Sequence, residues 1–125
     1  MTDKAILDDA GNVVPVDDLF VWAEWFEKNP DKRRVALTEF ESGLRVSTVF
    51  LGLNHAWGNG PDQWFETMTF GPKQEREIFG RKRMIGEEMY RQRYATIEEA
   101  RAGHAKAVKL FAAEWGEIVN ERRAN

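Results

Sequence analysis

Two rhythms of apolar and polar residues run along this chain, and the places where one gives way to the other mark its elements. Two short apolar pieces flank the turn-forming run "DDAGN", which predicts a small hairpin over residues 5–16. Leu19, Trp22, Ala23 and Phe26 then recur at helical spacing. Asp17 stands where a carboxylate accepts from the first free N–H groups, and Asp18 complements the positive end of the helix dipole. Pro30 ends this helix. Phe20, Val21 and Trp25 make it apolar on more than one side, so it is either sandwiched or partly an interface.

From residue 33 the rhythm shortens. "RRVALTEFE" alternates as a strand, "SG" at 42–43 gives a tight turn, and "LRVSTVFLGLN" has the β-branched and aromatic content of a central strand. "WFETMTF" is a third strand, with Trp64, Glu66, Met68 and Phe70 facing one way and Phe65, Thr67 and Thr69 the other. The loop over 54–63 is longer than a hairpin needs. Glycines 71, 80 and 86 break the next stretch, which reads as a protruding hairpin or flap within 73–93, turning near Gly80, before a short strand in "MYRQRYA". Thr96 and Glu99 form a capping box that opens a helix running from about Ile97 to near Asn120. Its apolar stripe is Ile97, Ala100, His104, Val108, Phe111, Trp115 and Ile118. The expected fold is a single α+β domain over 1–125. An antiparallel sheet of three to four strands is flanked by an N-terminal helix and a long C-terminal helix.

The order "DDLFVWAEWFE", "RVSTVFLGLNHAWGNGP", "FETMTFG" and "RYATIEEARAGHAKAV" resembles a family of small proteins found in bacteriophage and prophage genomes. The match spans roughly residues 12 to 110 and departs from the family pattern in a longer 73–89 stretch and an extended tail beyond Phe111. What the resemblance implies is a phage origin. It carries no catalytic residues across.

Composition narrows the classes. Hydrophobic residues make up 42% and charged residues 31% of 125 residues, an ordinary globular balance that argues against disorder. Five Trp and eight Phe are many for this length and supply both core and anchors for a partner. The absence of cysteine removes disulfides and thiolate metal sites. No signal peptide and no apolar run of membrane-spanning length is visible, so the expected location is the host cytoplasm, with no membrane partner. Residues 1–31 carry eight acids against Lys4 and Lys28, whereas residues 73–93 carry seven bases against four acids. That polarity orients an encounter with a charged partner within a reach of about 10 Å.

The chain's two histidines frame the chemical alternatives. His55 lies in the 54–63 loop with Asn54, Trp57 and Asn59, a set that suits protein recognition as well as general-base work. His104 falls on the buried stripe, where a lone histidine is more often a hydrogen-bonded core residue. Glu66 is its expected partner if Glu66 faces inward, since a buried carboxylate must pair and His104 or an Arg is the available choice. His55, Glu66 and His104 have the residue types of a metal-dependent hydrolase, yet their spacing matches no ligand or nucleophile motif, and no metal or cofactor is assigned. Arg81, Lys82 and Arg83 are a second contact surface. Interleaved with Phe79 and Tyr90 they raise nucleic acid as an alternative partner, against which the acidic whole and the intervening glutamates argue. The reading is a binding protein for a host or phage protein, modulating or inhibiting it, with a homodimer open as a further partner.

Overall fold

A computed structural model describes residues 3–123. In chain order the elements are β1 (Ala5–Leu7), β2 (Val13–Pro15), α1 (Leu19–Lys28), α2 (Pro30–Arg33), β3 (Arg34–Phe40), β4 (Arg45–Phe50) and β5 (Phe65–Phe70). They continue with β6 (Gln74–Ile78), β7 (Arg81–Ile85), β8 (Glu88–Tyr94), α3 (Ile97–Trp115) and β9 (Ile118–Arg123). The fold is α+β, and its strand pairs are antiparallel.

The main sheet has five strands in the order β8-β5-β4-β3-β9, larger than the three to four strands the sequence predicts. The extra strand comes from the tail. Gly116, at φ +86°, stops α3 after 19 residues, so the helix ends at Trp115 and the chain closes on a strand rather than on a helix reaching Asn120. Ile118, expected on the helix stripe, belongs to β9 opposite Phe40.

Local chemistry explains the helix starts. Asp18, not Asp17, caps α1, accepting from the N–H groups of Phe20 at 2.8 Å and Val21 at 3.2 Å. Pro30 does end α1 but also begins the short α2, where its fixed φ suits the first turn. At α3 the Thr96 hydroxyl accepts from the Glu99 N–H at 3.2 Å and donates to the Glu99 carboxylate at 3.1 Å.

α3 lies across one face of the sheet and buries Ile97, Ala100, His104 and Ala107. Two apolar clusters flank His104: Phe50, Phe65, Val35, Ile97 and Ala100 with β1, and Phe40, Leu44, Val46 and Ala107. Neither Trp22 nor Trp25 of α1 lies in the sheet interior. They cover the end of β4, where the Trp22 indole N–H donates to the Gly52 carbonyl at 3.0 Å and Trp25 meets Phe50 edge-on. Gly52 adopts φ +76°, and a Cβ there would strike the Phe26 ring. The first turn of α1 leaves Leu19, Phe20 and Val21 exposed.

Candidate functional site

Strand parity decides which residues share a site. Thr38, Thr48 and Thr67 stand on adjacent strands β3, β4 and β5, and all point at α3. The His104 Nε2 shares a hydrogen bond with the Thr38 hydroxyl at 2.9 Å, and Nδ1 shares one with Thr48 at 2.7 Å. Thr48 in turn bonds Thr67 at 2.5 Å. Two proton arrangements satisfy this chain, one for each neutral imidazole tautomer. Burial first, and then the Arg123 charge, lower the His104 pKa to about 4, so the ring is neutral at pH 7. Both nitrogens are engaged and the residue is 6% exposed, so this histidine pins α3 directly to β3 and β4, and through Thr48 to Thr67 of β5.

Glu66 does not meet it. Glu66 precedes Thr67 on β5 and therefore emerges on the other face, opposite Val49 and Arg93. Its carboxylate accepts from Arg93 Nε at 2.7 Å, and Arg91 Nε lies 3.9 Å away. The expected Glu66–His104 pair is thus corrected: it is Phe65, Thr67 and Thr69 that face the helix, while Met68 and Phe70 share the open face with Glu66. His55 is exposed in the loop beyond β4. The set His55, Glu66 and His104 is spread over a loop and two sheet faces, and among the described residues no cluster of three or more metal-binding side chains forms.

The 54–63 loop is organised by Asn54. Its Oδ1 accepts from the N–H groups of Ala56 at 3.0 Å and Gln63 at 2.9 Å, and its Nδ2 donates to Asp62 at 2.9 Å. Asn54 therefore shapes the loop, which displays Trp57, 86% exposed, beside exposed His55 and Asn59.

At the opposite end of β5 the chain leaves the sheet as an arm, the β6–β7 hairpin. Its register pairs Ile78 with Arg81, Arg76 with Arg83 and Gln74 with Ile85, so these six side chains share one face. Glu77 with Lys82 and Glu75 with Met84 form the other face, where Lys82 lies 3.7 Å from Glu75. The basic triplet Arg81, Lys82 and Arg83 is thereby split. Arg81 and Arg83 are joined by Arg76, which the triplet reading missed and which period-two parity alone identifies. Placing Arg76 directly opposite Arg83 is repulsive, and nothing among the described residues covers that face. Phe79 and Gly80 make the turn with φ +51° and +76°, and the Phe79 ring is completely exposed. Gln74, Arg76 and Ile85 also line a cleft of about 310 Å³, together with Glu87, Met89 and Trp115.

A comparison of the chain with protein-family models, with curated proteins and with solved structures finds no match. Among the described residues no helix is long and apolar enough to cross a membrane.

Proposed function

We propose that this chain is a small phage-type binding protein that grips an acidic segment of a host or phage protein between its arm and its body. Modulation or inhibition of that partner in the host cytoplasm is the consequence. One observation carries the reading: an arm whose three arginines and two isoleucines share an uncovered face, tipped by an exposed Phe79.

That composition fits protein recognition. Arg, Met and aromatic residues are enriched in protein interfaces. The arm offers Arg76, Arg81 and Arg83 with Ile78, Ile85 and the tip residue Phe79, while its acids lie on the other face with Met84. A phosphate backbone would engage the arginines but leave Ile78, Ile85 and the Met89–Trp115 cleft unsatisfied, whereas an acidic peptide with apolar side chains uses all of them. Trp57 and His55 sit at the other end of the sheet and form a separate, second contact surface.

The test is capture from nuclease-treated host lysate with wild-type bait, an Arg76→Glu/Arg81→Glu/Arg83→Glu variant and a Trp57→Ala variant, each checked for an unchanged melting curve. A stoichiometric partner should survive Trp57→Ala and disappear with the arginine variant. Retention by the arginine variant would overturn the arm, and loss with Trp57→Ala alone would move the site to the loop.

A further inference from the structure

β9 lies beyond the ground that α3 covers, and a groove runs between them over Ala36 and Thr38 of β3. It consists of two adjoining cavities of about 430 and 180 Å³, which share Ala36, His104, Ala105 and Arg123. The groove stays open because the helix presents Ala102 and Ala105 toward it, side chains too short to reach the strand. Both alanines are exposed, so no packing defect is involved.

Its charge is lopsided. Arg123 faces the groove from β9, Lys109 stands at one end and Arg101 at the other, where its guanidinium also nears Gly11. Glu121 is the one carboxylate among the residues lining either cavity. Among the described residues, none of these three cations makes an ion pair. Arg101 and Lys109 are eight positions apart, about 12 Å along the helix axis. The floor offers few free polar groups, since the Thr38 hydroxyl and both His104 nitrogens already bond each other and Thr48. A fitting occupant therefore has anionic character for the cations and an extended, weakly polar body for the alanine wall.

The geometry points to a binding site for an organic phosphate of mononucleotide size in the groove between α3 and β9. Its phosphate pairs with Arg123 and one of the end cations, and its base lies along Ala102 and Ala105. Guanidinium groups match phosphate oxygens in fork geometry, and the larger cavity has the volume of a small-molecule site. This site is separate from the arm, so either can fail without the other.

The experiment is a titration of the full chain with adenosine 5′-monophosphate, followed by amide chemical shifts, with inorganic phosphate in parallel. Saturable shifts confined to residues near Ala36, Ala105 and Arg123, with a dissociation constant at or below about 1 mM, are expected. Arg123→Glu and Ala105→Leu should each weaken binding at least about tenfold. The leucine variant fills the groove at an exposed helical position and leaves every charge in place. Shifts that do not saturate, or affinity indifferent to Ala105→Leu, would overturn the site. Equal affinity for inorganic phosphate would overturn it too, because the alanine wall would then contribute nothing.

Discussion

At the scale of single residues, His104 and the three threonines show how a polar group becomes an organising part of a core. A lone buried imidazole would cost stability, but Thr38 and Thr48 take up both nitrogens, and Thr67 completes the chain. The pH consequence follows from the folded value of about 4 against an ordinary value of 6.5. The stabilisation is fully present above pH 6.5 and is lost as the pH falls from 6.5 through 4, because the unfolded chain takes up a proton that the native site refuses. At pH 5 the loss should be about 1–2 kcal/mol. Urea midpoints at pH 7.5 and pH 5 should therefore differ more for the wild type than for His104→Gln; equal differences would contradict the assignment. Gly103, one position earlier, has a purely steric role, since any Cβ would collide with the Tyr94 ring. Burial raises the Tyr94 phenol above its ordinary value, with the Thr67 hydroxyl pulling the other way. The place of His104 on the buried helical face is legible from spacing. Its partners are not, because three threonines on three strands become neighbours only when the sheet forms.

Among the elements, the arm is read well from sequence in position and poorly in chemistry. Glycine punctuation puts the turn near Gly80, as found, but "RKR" looks like one basic cluster until the register separates Lys82 from Arg81 and Arg83. Its turn is unusual in placing a phenylalanine where φ is positive, a position that Asn or Gly fills at lower cost. Phe79→Asn should stabilise the hairpin by about 1 kcal/mol. Slower hydrogen exchange at Arg76 and Arg83 would report the gain, and partner capture should fall at the same time. Unchanged exchange would mean that the turn is not strained. In β5 the alternation is plain in the sequence, but which face is covered is not. The face with Glu66, Met68 and Phe70 is the bulkier one, yet α3 packs on the side where small threonines let a helix and a histidine approach.

For the whole molecule, the fifth strand changes the architecture. β9 adds itself to the edge of β3, with Asn120 donating to Glu39 at 3.1 Å across a separation of 81 residues. It supplies one wall of the groove beside α3 and covers an edge that would otherwise be open. Ending the chain after Glu117 should lower the melting temperature by on the order of 10 °C, and an unchanged melt would show that β9 is no part of the cooperative unit. The arm and the 54–63 loop leave the sheet at opposite ends, so the two recognition surfaces expected from sequence cannot act as one patch. What the sequence by itself determined was local: strand and helix periods, the Thr96 cap of α3, the arm's turn and the α+β class, because each depends on residues within a few positions of one another. Only the tertiary structure decided the sheet's fifth strand, the face on which Glu66 emerges, the threonine partners of His104 and the groove under Arg123. Those depend on which distant edges and faces meet, and burial and hydrogen bonding settle that only once the whole sheet is assembled.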